Sequence, residues 1–255
     1  MVFQNNLLMG SGGQPSGYEI EQSCRFNDND SAYLTRTPGS AGNRRTWTLS
    51  VWVKRGNMNP TSTTEKNFFN AGVSGSGSDQ ETEFKFYDSS TGNIRIYDYT
   101  GLSPSDTYHF DLVTDRVFRD PASWYHLVFK MDTTQGTAAD RFVIYANGET
   151  VALSSRGGES IYPDQNHETS VCDDVVHVIG KFSGAGIQYF DGYLAEMHLV
   201  DGTALTAASF GKTDGATGQW VPKKYAGSYG TTGCYLAFQD SSALGDDTSG
   251  NGNDW

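Results

Sequence analysis

The chain has 255 residues, 36% of them hydrophobic, and a chain of this size buries roughly three quarters of its unfolded surface. Thirty acidic against 18 basic side chains leave a formal net charge of −12, a balance that opposes a nucleic-acid partner, because phosphate binding depends on clustered Lys and Arg. No run approaches ~18 consecutive apolar residues, so no segment reads as a membrane-spanning helix.

In chain order, residues 1–18 stand apart. Leu7, Leu8 and Met9 lead into Gly10-Ser11-Gly12-Gly13-Gln14-Pro15-Ser16-Gly17, a flexible linker composition. Two readings stay open: a disordered terminus, or an anchoring arm that seats Phe3, Leu7, Leu8 and Met9 on a neighbouring subunit. The first ten residues lack the positive region and long apolar core of a secretory signal, so the expectation is folding in a reducing cytosol. Cys24, Cys172 and Cys234 have no paired spacing, which argues against a disulfide framework or a zinc site.

From Cys24 onward, short strand signals alternate with turn residues. Trp47, Leu49, Val51 and Val53 share one face of a strand over residues 46–54, and Trp52 on the other face implies that this side is covered too. Phe84 to Tyr87 and Ile94 to Tyr97 flank a hairpin turn at 88–93, and Tyr125, Leu127, Phe129 and Met131 alternate next. Phe142 to Ala146 meets Asn147-Gly148, a strong hairpin signal because both residues tolerate positive φ. Val175 to Ile179 is a further strand, and Tyr193, Ala195, Met197 and Leu199 are expected on one face of another. Thr206 is placed to N-cap a single helical turn through Phe210, and Cys234, Leu236 and Phe238 alternate in a last strand. Roughly ten strands with 30 glycines and no long helix predict an all-β fold: a two-sheet antiparallel jelly-roll sandwich over residues 19–255.

Three motifs carry a family resemblance. Trp47-Thr48-Leu49-Ser50-Val51-Trp52-Val53-Lys54, then Trp124-Tyr125-His126-Leu127-Val128 with Phe142 to Gly148, then Phe190-Asp191-Gly192-Tyr193-Leu194-Ala195-Glu196-Met197 follow one another as in laminin-G-like, concanavalin A-like domains. The flanks, Phe3 to Met9, Phe26 to Leu34 and Asp201 to Tyr225, resemble structural proteins of marine bacteriophage virions. The resemblance implies a virion fibre, spike or capsid-decorating subunit, non-catalytic, homo-oligomeric and lectin-like. Its implied partners are other virion proteins, copies of itself and host-surface polysaccharide. A free-standing lectin, calcium-dependent, is the alternative. Asp247-Thr248-Ser249-Gly250-Asn251-Gly252-Asn253 is similar to the opening of such a domain, so the chain either leads into a further domain or closes the present sandwich here.

Glycoside hydrolases of this fold type place several carboxylates on one strand face, but Glu81-Thr82-Glu83 has no third member and reads as the exposed start of a strand. The five histidines form no HExxH unit, and Cys172 with His177 has no evident orienting partner. Gly72 to Gly77 lacks the Lys-Ser/Thr of a phosphate cradle. Asn27-Asp28-Asn29-Asp30 supplies hard oxygens, making Asp28 and Asp30 the calcium candidates, with Asp173-Asp174 and Asp246-Asp247 comparable; each such cluster is more often a turn than a site. Tyr97, Tyr99 and Tyr108 are read as exposed rings that stack on sugars, or else as packing.

Overall fold

The computed structural model describes residues 17–56, 58, 65–72, 79–87, 92–102, 105–156, 162–184 and 188–255. Phe3, Leu7, Leu8 and Met9 lie outside the described residues, as do most of the glycine-rich stretch after Gly72 and the hairpin turn at 88–91.

The described residues form sixteen strands: β1 (Cys24–Phe26), β2 (Leu34–Arg36), β3 (Thr46–Arg55), β4 (Lys66–Gly72), β5 (Asp79–Tyr87), β6 (Asn93–Leu102), β7 (Ser105–Val117), β8 (Trp124–Asp132), β9 (Phe142–Ala146), β10 (Glu149–Val151), β11 (Leu153–Ser155), β12 (His177–Ile179), β13 (Gly192–Asp201), β14 (Gly211–Thr213), β15 (Trp220–Pro222) and β16 (Cys234–Leu236). One sheet runs β10-β9-β8-β3-β13, and β1 and β16 share the far edge of β13. The other runs β11-β7-β6-β5-β4-β12-β2, and β14 pairs with β15 alone. All strand pairings are antiparallel. The result is a two-sheet jelly-roll sandwich, as the alternation predicts.

The core lies between the sheets and is rich in phenylalanine. Trp47, Leu49, Val51 and Val53 of β3 are fully buried. Phe84 meets Phe129 edge-on at 5.0 Å and Trp47 at 6.0 Å. The Trp47 indole N–H donates to Thr169 Oγ1 at 2.9 Å, so its one polar atom is satisfied. Burial of each such side chain stabilises the fold by about 1.5–3 kcal/mol.

β13 departs from simple alternation. A bulge between Ala195 and His198 inserts Glu196 with φ 48°. Leu194, Met197 and Leu199 therefore face the core, while Tyr193, Ala195, His198 and Val200 face outward. This corrects the expectation that Tyr193, Ala195, Met197 and Leu199 share a face. Glu196 is held in its strained backbone by Tyr18 and Tyr235, whose hydroxyls each donate to it at 2.6 Å. Tyr18, at the end of the expected arm, is thus docked on the sandwich.

After β13 the chain crosses the outer face of the β3-containing sheet. A 3₁₀ turn at Ala207–Ser209 replaces the expected helical turn, and the Thr206 side chain makes no capping bond. Phe210 and Ala207 pack on Val128 and Val200, with Tyr225, Tyr229 and Trp220 against them. This strap covers much of a face that Trp52 alone had suggested was covered. At the other end of the chain, Trp255 packs against Phe69 and His177 and its indole N–H points at Cys234 Sγ, 3.2 Å away. The Asp247 to Asn253 motif closes onto this sandwich: Asn251 and Asn253 both donate to the Gly233 carbonyl.

Candidate functional site

The outer face of the β5-containing sheet carries Glu81, Glu83 and Lys85 of β5, Arg95 and Tyr97 of β6, and Asp111 of β7. Register sets Glu83 opposite Tyr97 and Lys85 opposite Arg95. Lys85 Nζ lies 2.9 Å from Glu83 and 2.5 Å from Glu65, while Arg95 makes two 2.8 Å bonds to Asp111. The Tyr97 hydroxyl donates to Glu83 and, at 3.4 Å, to Glu81. Glu81 and Glu83 are 2% and 1% exposed, which overturns their reading as an exposed start of a strand. Burial, with Glu83 beside it, pushes the Glu81 carboxyl up to about 8, and burial likewise raises Glu83.

Tyr97 is buried rather than exposed. Lys85 and Arg95 lie 4.5 Å and 4.4 Å from its ring centroid. Tyr99 and Tyr108 pack on each other at 5.0 Å. Tyr97 is thus closed off by its own partners, while Tyr99 and Tyr108 stay half-buried.

The outer face of the other sheet is different. Trp52 of β3 lies in register with His126 of β8 and stacks on it at 4.8 Å. Trp220 Nε1–H donates to His126 Nδ1 at 2.9 Å, with the two rings 21° from parallel. The imidazole proton therefore sits on Nε2 and is donated to Ser50 Oγ, also at 2.9 Å. Burial, and next the nearby His198, lowers the His126 pKa to about 3, so the ring stays neutral.

Two glycines let Trp220 lie flat here. A Cβ on Gly148 or on Gly211 would strike the indole, and Gly148 has φ +84°. The Asn147-Gly148 turn, predicted from its hairpin signal, is thus also the floor beneath Trp220. Asn147 Oδ1 accepts from the His126 amide at 2.8 Å, fixing the turn to β8. Around these rings opens a recess of about 490 Å³, lined among others by Trp52, Trp220, Arg116, Asn147, Glu149 and Gln219. It combines two half-buried indoles with hydrogen-bond donors and acceptors of both charges, a lining suited to a polyhydroxylated ring.

Asp28 and Asp30 fall in a 3₁₀ turn capped by Asn27. Lys66 Nζ lies 2.8 Å from Asp28, and the Asn27 amide donates to Asp30. Asp28 thus already has its cation, and the pair does not fit a calcium ion unless Lys66 is displaced. Among the described residues no cluster of three His, Cys, Asp or Glu is suited to a metal. His177 Nε2 accepts from the Cys172 backbone amide at 3.1 Å, so it faces away from service as a base, and burial raises the Cys172 thiol pKa. His198 is likewise occupied, bonded through Nδ1 to the Tyr229 hydroxyl at 2.8 Å.

A family model described as the concanavalin A-like lectin/glucanases superfamily matches residues 27–209. The chain belongs to that superfamily. No curated protein sequence matches it. Among solved structures it is similar to a heptameric SAP-like pentraxin from Limulus polyphemus, with 16% identity, TM-score 0.42, and 75% of this chain and 85% of that one covered. The enzymatically active domain of bacteriophage CBA120 tailspike protein 2 gives 14% identity, TM-score 0.45 and coverage of 73% and 26%. Domains LG4-5 of the mouse laminin alpha1 chain give 7%, 0.44, 89% and 50%. The chain thus spans about a quarter of the tailspike domain and half of the laminin pair. The superfamily match ends at residue 209, so Trp220 and the part of the strap from Phe210 onward lie outside the matched region.

Trp220 is the ring of this site that the sequence did not single out, and Arg116, Glu149 and Gln219 were not singled out either. Trp220 lies 94 residues from His126, and no local pattern joins the two. The outward-facing Trp52 and the Asn147-Gly148 turn were the available signals.

Proposed function

We propose that this chain is a non-catalytic recognition module that holds polysaccharide in the Trp52–Trp220 recess. The observation that carries this reading is the pair of half-buried indoles braced by a neutral histidine and rimmed by Arg116, Asn147, Glu149 and Gln219. Rings positioned by packing lose little freedom on binding, which favours affinity. A non-catalytic role is supported by the burial of Glu81 and Glu83 beneath their own partners. The sequence resemblance supports a place on a bacteriophage virion surface, as a fibre, spike or capsid-decorating subunit folded in the host cytoplasm. In this reading residues 1–18 attach the module to other virion proteins or to its own copies.

Affinity electrophoresis against a panel of soluble polysaccharides tests the recess. Trp52→Ala and Trp220→Ala should each weaken binding by about tenfold, or ~1.4 kcal/mol, with no polysaccharide turnover by the unaltered chain. Retention unchanged in both variants would remove the recess from the reading, and turnover would remove the non-catalytic role. Light scattering tests the arm. A defined oligomer that becomes a folded monomer when the chain starts at Glu19 supports attachment, and monomers in both cases reject self-assembly through residues 1–18.

A further inference from the structure

Beyond the recess, the same sheet face carries a second aromatic row. Arg25, Tyr193, Lys54 and Trp124 lie side by side in register across β1, β13, β3 and β8. Tyr193 is 36% exposed, and Trp124 and Lys54 are half-buried. The Tyr193 and Trp124 rings meet at 6.4 Å, and the Arg25 guanidinium sits 5.2 Å over the Tyr193 ring. Trp52 is two residues before Lys54 on β3 and opposite His126, so it is the diagonal neighbour of Trp124, about 7–8 Å away at the backbone. Tyr193, Trp124, Trp52 and Trp220 therefore follow one another across the face as a single track that ends in the recess.

The charges along the track are matched. Arg25 pairs with Asp191, and Arg116 lies 3.9 Å from Glu149. A polyanion would meet these carboxylates and the net charge of −12, and a polycation would meet the guanidinium and ammonium groups. An uncharged chain meets ring faces for its C–H surfaces, with donors and acceptors for its hydroxyls.

We infer that the track binds an uncharged polysaccharide along several consecutive sugar rings, entering at Tyr193 and ending between Trp52 and Trp220. This rests on the recess reading and extends it from one ring to a chain segment. An internal stretch of polymer, rather than a terminal sugar alone, is then the recognised unit.

The test is calorimetric titration of the full chain with cello-, laminari-, malto- and manno-oligosaccharides of one to six units, and with an acidic oligo-alginate series. The expected result is affinity in a neutral series that rises at least tenfold with length. Trp52→Ala should weaken every length, whereas Trp124→Ala and Tyr193→Ala should cause losses that grow with length, all with thermal midpoints near that of the unaltered chain. Affinity independent of length, or long-chain binding untouched by Trp124→Ala and Tyr193→Ala, overturns the track while leaving the recess standing. Preference for the acidic series overturns the uncharged occupant. Binding by no series overturns both track and recess.

Discussion

The indole N–H of Trp220 donates to Nδ1 of His126 at 2.9 Å, joining the strap after β13 to the first part of β8. One bond therefore fixes a histidine tautomer, a tryptophan orientation and the wall of the recess together. Such a shared arrangement makes the site sensitive to changes that touch no ligand.

Gly148→Ala should be the clearest case. Its φ of +84° disfavours any L side chain, and the added methyl would strike the Trp220 ring. The expected cost is about 1–3 kcal/mol, read as a lower denaturation midpoint, together with a tryptophan fluorescence change. Gly211→Ala meets other atoms of the same ring and should also perturb the fluorescence. Spectra identical to the unaltered chain in both variants would show that the glycines do not seat Trp220.

Acid should destabilise the fold through its buried histidines. Burial lowers His126 to about 3 and His177 to about 4, and His198 is lowered as well. The unfolded chain binds these protons from about pH 6.5 downward while the native state refuses them. Stability is therefore intact above pH 6.5 and falls as pH drops through the window, by up to ~1.4 kcal/mol per pH unit for each histidine. Denaturant titrations between pH 7 and 5 on His177→Gln should show a slope smaller by about one proton. An unaltered slope would mean that His177 is protonated in the native state.

Glu81 acts in the opposite sense. Its folded pKa of about 8 lies above the unfolded carboxylate value, so the native state holds a proton that the unfolded chain has released. Its contribution is present below about pH 4.5 and is lost as pH rises toward 8. Glu81→Gln keeps the neutral shape and should raise stability at pH 8 to 9 relative to the unaltered chain. It should also steepen the acid slope between pH 5 and 7, because one opposing proton is gone. A variant that tracks the unaltered chain across this range would place the Glu81 carboxylate in contact with solvent.

β3 was legible because Trp47, Leu49, Val51 and Val53 obey a strict period of two, and all four are core. β13 was legible as a strand but not in register, since the bulge at Glu196 shifts the inward set by one residue. Glu81 and Glu83 were misread because alternation marks only a side of the sheet, and Lys85 and Tyr97 bind carboxylates that composition alone would send to water. The recess was half legible. Trp52 and Gly148 show local signals, but the strap that supplies Trp220 is a long-range contact.

The closing segment offers a last test. Burial pushes the Asp247 carboxyl up, yet the amides of Tyr235, Asn253 and Ser249 outweigh this and hold it below the usual carboxylate range. Its stabilisation is thus present above the unfolded pKa of about 3.9 and disappears as pH falls through the lower folded value. Asp247→Ala leaves those amides without their acceptor and should cost about 1–3 kcal/mol. Because the same loop places Trp255 beside Cys234, the loss should be local at first. Cys234 is 1% exposed and burial raises its thiol to about 12, so it should be inert to thiol reagents in the unaltered chain at neutral pH. In Asp247→Ala it should react measurably, while Cys24, on β1 beside the other end of β13, should remain protected. Equal protection of both thiols would show that Asp247 does not hold Trp255 in place, and equal exposure would mean that the whole edge opens as one unit.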